Sequence, residues 1–167
     1  DSSLSTIVHL AAAAALVEIG SDRSFDAVSN RLRSEFERGV PNGETVQRLV
    51  QLLGTMGGER IIEPVSQALL RVRPSPSSFK HDEARAEAAR VLGDLGARAA
   101  VEPLKAAIES KKRNDYDAFQ SQFAAARALG KIGGSGVFDT LMEMVLYDDP
   151  GVASGAARGL GDLGDSH

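Results

Sequence analysis

Gly93 and Gly96 stand three residues apart in "RVLGDLGARAAVEPL" (Arg90 to Leu104), inside a run that otherwise reads as helix. Glycine lets a ligand come close to the main chain, so a Gly-x-x-Gly of this kind could cradle a phosphate or clamp the backbone of a single-stranded RNA. Other residues that carry chemistry are sparse. Histidine occurs only at His9, His81 and His167, far apart in sequence, so no metal set is expected. Cysteine is absent, which excludes disulfides, thiolate metal sites and cysteine nucleophiles. Serines gather at Ser75, Ser77 and Ser78 without a histidine at triad spacing, and "RPSPSSFK" reads as a loop open to phosphorylation. One acid recurs: Asp26, Glu63, Glu102 and Asp139 each lie six residues past a glycine.

Composition narrows the classes. The 19 Lys plus Arg against 23 Asp plus Glu give a formal charge of -4, opposite to the basic footprint of a nucleic-acid binder. The basic cluster "KKRN" (Lys111 to Asn114) is too short for such a patch and reads as a solvated loop. "IVHLAAAAALVEIG" (Ile7 to Gly20) has no preceding Lys or Arg and contains His9 and Glu18, so it reads as a structural helix rather than a leader. No apolar run reaches the roughly 18 residues needed to span a bilayer. Neither nucleic acid nor membrane insertion is expected, and the compartment stays open with the cytoplasm favoured.

The elements that hold these residues follow from a repeat. Leu-Gly-x-x-Gly patterns recur as "LLGTMG" (Leu52 to Gly57), "VLGDLG" (Val91 to Gly96), "ALGKIG" (Ala128 to Gly133) and "GLGDLG" (Gly159 to Gly164), with a degenerate copy "ALVEIG" (Ala15 to Gly20). The second glycines fall at 20, 57, 96, 133 and 164, a period of 31 to 39 residues. Five copies at such a period mark a structural unit rather than a ligand loop. An Ala-rich run precedes each pair, as in "EARAEAARVL" (Glu83 to Leu92), and predicts a first helix. An amphipathic run follows, with Phe25, Val28, Leu32; Ile62, Val65, Leu69; Val101, Leu104, Ile108; and Phe138, Leu141, Val145 at helical spacing, and predicts a second. The second glycine should end the first helix in a left-handed conformation. The first glycine, one turn earlier, should let another backbone pack close.

With aromatics at 5% and no Trp, the core must come from Ala, Leu, Val and Ile, which suits closely packed helices. The expected fold is all-α: a single domain over 1–167 with units at about 5–38, 44–73, 82–112, 117–147 and an incomplete 151–167. The last unit stops after its first helix, so the chain is expected to be a segment of a larger protein or to be covered by association at that end.

"EARAEAARVLGDLGARAAVEPLKAAI" (Glu83 to Ile108) and "DDPGVASGAARGLGDLG" (Asp148 to Gly164) resemble the HEAT-like repeats of the phycobilisome lyase (PBS lyase) type. The resemblance implies a right-handed α-solenoid of about four and a half antiparallel helix pairs with the second helices on the concave surface. It matches an arginine near the start of the first helix at Arg85, where the other units carry His9, Val46, Gln122 and Ala153. The His-Glu pairs that bind iron in HEAT-like hydroxylases have no counterpart, and no cofactor is expected.

On the second helices, residues four and seven beyond each acid share its face. The candidate binding set is therefore Asp26, Asn30 and Arg33; Glu63, Gln67 and Leu70; Glu102 and Glu109; and Asp139, Glu143 and Leu146. First-turn acids also serve the helix dipole, a structural role that competes with binding. With no recurring catalytic set, the reading is a non-catalytic scaffold that binds a protein partner. A phycobilin-lyase-like subunit or chromophore chaperone is the alternative, and a HEAT-like DNA glycosylase is disfavoured by the charge and the few aromatics.

Overall fold

The structure, a computed structural model, describes residues 22–73, 79–109 and 119–164. The degenerate first copy with His9, the serine-rich loop at 74–78, the basic cluster at 111–114 and His167 lie outside the described residues. Among the described residues eight α-helices follow in chain order: α1 (Asp22–Glu37), α2 (Gly43–Met56), α3 (Ile62–Arg71), α4 (Phe79–Asp94), α5 (Val101–Glu109), α6 (Phe119–Ile132), α7 (Val137–Val145) and α8 (Pro150–Gly164). Short 3-10 turns at Glu59–Ile61 and Arg98–Ala100 lead into α3 and α5. No strand occurs among the described residues.

The helices form two layers. The Ala- and Gly-rich first helices α2, α4, α6 and α8 pack side by side in sequence order, and each second helix packs chiefly on the first helix that follows it. Between the layers lies an aliphatic core, with Leu49, Leu53, Leu69, Leu92, Leu104, Leu129 and Leu141 fully buried. Burial of each such leucine stabilises the fold by about 1.5 to 3 kcal/mol, and the repeat spacing brings all of them to one seam.

The paired glycines divide the labour of building this stack. Gly57, Gly96 and Gly133, the second glycines of three of the pairs, have φ of 63°, 64° and 63°, whereas Gly164 stays within α8 without a positive φ. That left-handed backbone ends the first helix and turns the chain toward the second layer. The first glycines act through space. A Cβ on Gly54 would lie 2.9 Å from Val91 Cγ2, one on Gly93 would lie 2.8 Å from Ala128 Cβ, and one on Gly130 would overlap the Gly159 main chain. Each removes the side chain that would hold the next first helix away.

Helix starts are fixed by local and distant caps. The Asn42 side chain accepts from Thr45 N–H at 2.9 Å, and Asp149 Oδ1 accepts from Gly151 and Val152 N–H at 2.8 and 3.0 Å. The start of α6 is capped from the neighbouring unit: the buried Asp82 carboxylate of α4 accepts from Gln120 and Ser121 N–H at 2.9 and 3.1 Å. Arg85, buried one turn later, donates Nε to the Leu69 carbonyl at 3.1 Å and Nη2 to the Ala107 carbonyl at 3.2 Å. It ties the C-terminal ends of α3 and α5 to α4. Burial pulls the Arg85 pKa below its ordinary value, partly offset by the nearby Asp82 carboxylate. The bridge is not repeated by the same side chain, since Val46 and Gln122 occupy the matching buried positions of α2 and α6.

Candidate functional site

The second helices carry the expected binding residues on their solvent side. Asp26, Asn30, Arg33, Glu63, Leu70, Glu102, Glu109, Asp139, Glu143 and Leu146 are exposed, and Gln67 is half-buried. Glu63, Glu102 and Asp139 sit in the first turns of α3, α5 and α7, where the helix dipole favours a carboxylate. Asp26 does not share that role, because α1 begins at Asp22 and places it in the second turn. Leu146, 84% exposed, lies just past the end of α7 rather than on its face. Glu102 approaches Lys105 at 3.8 Å, whereas Asp26, Glu63, Asp139 and Glu143 form no ion pair among the described residues. Of the methionines near this end, Met144 is buried in the core while Met142 is exposed.

These residues do not form one continuous ladder. Arg33, Glu63 and Gln67 meet at a cavity of about 400 Å³ between α1 and α3. Farther along, α5 and α7 make little contact, so Glu102 and Glu109 stand apart from Asp139 and Glu143. The layers are thus spaced differently: first helices sit close, while second helices stand off from one another.

The first-helix layer carries a larger groove, about 610 Å³, which the sequence did not signal. Phe119 and Phe123 of α6 lie along it with ring centroids 6.5 Å apart and planes 16° from parallel. Glu87, Arg90, Arg127 and Lys131 complete its polar rim. The cations there are already engaged. Arg90 holds Glu87 at 2.5 Å and Asp94 at 2.7 Å, Lys131 of α6 reaches Asp94 at 2.5 Å, and Arg127 reaches Asp162 of α8 at 2.7 Å. Hydrogen bonding to Glu87 raises the Arg90 pKa, hydrogen bonding to Asp162 raises that of Arg127, and the same bond holds the Asp162 carboxyl below its ordinary value. Helical spacing alone could have suggested the Phe119/Phe123 pair, four residues apart, but not its partners on α4.

No group of three or more His, Asp or Glu side chains placed to hold a metal ion occurs among the described residues. His81 serves the fold, its buried Nε2 lying 2.9 Å from the Pro41 carbonyl. No helix among the described residues is long and apolar enough to cross a membrane.

Paired helices in two layers, joined at repeated glycines, define an all-helical repeat fold over the described residues. Residues 84–110 match the family model of the PBS lyase HEAT-like repeat. That segment spans most of α4 and all of α5, the unit that carries Arg85 and the Gly93/Gly96 pair. Comparison with curated proteins finds no match.

Proposed function

We propose that the chain is a non-catalytic scaffold, one right-handed solenoid domain whose second helices dock a protein partner through their exposed face. The observation that carries this reading is an asymmetry of charge between the layers. On the first helices Arg127 and Lys131 are consumed by ion pairs that join neighbouring helices, and Arg90 by pairs with Glu87 and Asp94 on its own helix. On the second helices Glu63, Asp139 and Glu143 stand exposed and unpaired among the described residues, beside the exposed Leu70, Phe138 and Met142. Unpaired acids among apolar side chains suit a partner surface of basic and apolar residues. In a pull-down with a purified partner, reversing Glu63, Glu102 and Asp139 to lysine is expected to abolish capture. Unchanged capture by a correctly folded variant removes this face from consideration.

The groove on the first helices favours a second reading, a phycobilin-lyase-like subunit or chromophore chaperone. Its stacked Phe119 and Phe123 rings offer a flat apolar wall, which suits a planar molecule. Added linear tetrapyrrole is expected to change its absorbance spectrum on this reading, and an unaltered spectrum counts against it.

A further inference from the structure

The cavity between α1 and α3 has a chemistry of its own. Two arginine–phenyl contacts align the helices: Arg60 lies over the Phe25 ring at 4.7 Å while also pairing with Asp22 at 2.6 Å, and Arg71 lies over the Phe36 ring at 5.1 Å. Phe25 and Phe36 stand near the two ends of α1, and Arg60, in the 3-10 turn that leads into α3, and Arg71 stand at the two ends of α3 in the same order, so α1 and α3 run parallel. Between the contacts the helices enclose about 400 Å³ floored by Leu32, Phe36 and Pro64.

Polar groups are ordered along this groove. Glu63 lies toward its N-terminal end, while Arg33 and Arg71 occupy the C-terminal half with Glu37 on the outer rim. None of these four side chains has an ion pair among the described residues. One end is therefore anionic, and the other, with two guanidiniums against one carboxylate, is cationic. Ser29 lines the same cavity; it is 9% exposed, and its Oγ is buried without a hydrogen-bond partner. A buried hydroxyl left open in this way is a donor and acceptor awaiting a group.

We infer that this groove binds an extended peptide segment of the form base–x–apolar–x–acid. From Glu63 to Arg71 the α3 wall covers two turns and a fraction, about 12 Å. An extended chain crosses that distance in about four residues, and its alternate side chains point the same way. A base then meets Glu63, an aliphatic side chain meets Leu32, Phe36 and Pro64, and an acid meets Arg33 and Arg71. Ser29 bonds the peptide main chain. This deepens the proposed protein-docking role of the second helices and rests on it.

The test is a titration of the isotope-labelled chain with the blocked peptide lysine–serine–leucine–serine–glutamate, its reverse sequence, and a control with glutamine for both charged residues, followed by amide chemical shifts. One of the two charged peptides is expected to shift α1 and α3 amides around Ser29 and Gln67. Arg71→Gln should weaken binding roughly three- to tenfold, as for loss of one charge-assisted contact. Ser29→Ala, which cannot disturb the Arg71–Phe36 contact directly, should also weaken binding while leaving the fold intact. Equal binding of the glutamine control, or indifference to both substitutions, overturns the inference. If the peptides fail yet charge reversal at Glu102 and Asp139 still releases a purified partner, the groove assignment falls and the wider docking face stands. If neither matters, both fall.

Discussion

Replacing Gly130 with alanine sets two effects against each other. Alanine is the better helix former by about 1 kcal/mol, so on an isolated helix the change would stabilise. In the stack, the new methyl would run into the Cα and carbonyl of Gly159, main-chain atoms that cannot rotate away. Overpacking of this kind costs about 1 to 3 kcal/mol, and more where backbone must move. The net expectation is a loss of about 1 to 2 kcal/mol, which for a chain of this size lowers the melting midpoint by on the order of 3 to 8 °C. Two companion variants isolate the cause. Gly161, which continues the repeat register on α8, has no atom within 4 Å of a built Cβ, so Gly161→Ala should raise the midpoint by a few degrees. Gly96 also has open space but φ of 64°, so Gly96→Ala should destabilise the fold by about 1 to 2 kcal/mol through backbone strain alone and lower the midpoint. Thermal unfolding followed by far-ultraviolet circular dichroism reads all three. A Gly130→Ala protein that melts at or above the parent would refute the close-approach argument.

Arg85→Met should cost roughly 2 kcal/mol, because two buried carbonyls lose their donor while the desolvated guanidinium is also removed; Arg85→Lys, lacking the fork, should recover only part of the loss in urea unfolding. Asp82→Ala should cost about 1 to 2 kcal/mol and speed hydrogen exchange at the Gln120 and Ser121 amides more than at Thr45, whose cap is independent. The Arg127–Asp162 pair makes a pH-dependent contribution. Since its carboxyl is held below its ordinary value when folded, the stabilisation is complete above the unfolded pKa of about 4 and is lost as pH falls through the lower folded value. Asp162→Asn should therefore lower the melting midpoint at neutral pH, with the gap to the parent closing under acid. A gap that persists below that window assigns the effect to packing instead.

Much of the architecture was legible because helical repeats write their geometry into local patterns. The Ala-rich runs, the apolar triplets such as Val101, Leu104 and Ile108, and the glycine pairs each report on residues within a turn or two. That is the range over which propensity and periodicity act. The Arg85 bridge was harder to read. Its acceptors, Leu69 and Ala107, are main-chain carbonyls whose availability depends on where α3 and α5 end. Asp82 gives no local sign of its task either, since the helix it caps begins 37 residues later.

By itself the sequence determined that the described residues form paired helices, that Gly57, Gly96 and Gly133 end a helix, and that the second helices present Glu63, Glu102 and Asp139 near their starts. Those features follow from backbone conformation and helical period. Which layer packs closely, which charges are spent on neighbours and which remain free were decided only by the tertiary structure. The spacing between helices depends on how side chains meet across units: Gly130 against Gly159 draws α6 and α8 together, and Arg71 over Phe36 spans the groove between α1 and α3. Those meetings join residues 29 and 35 positions apart, beyond the reach of any local pattern.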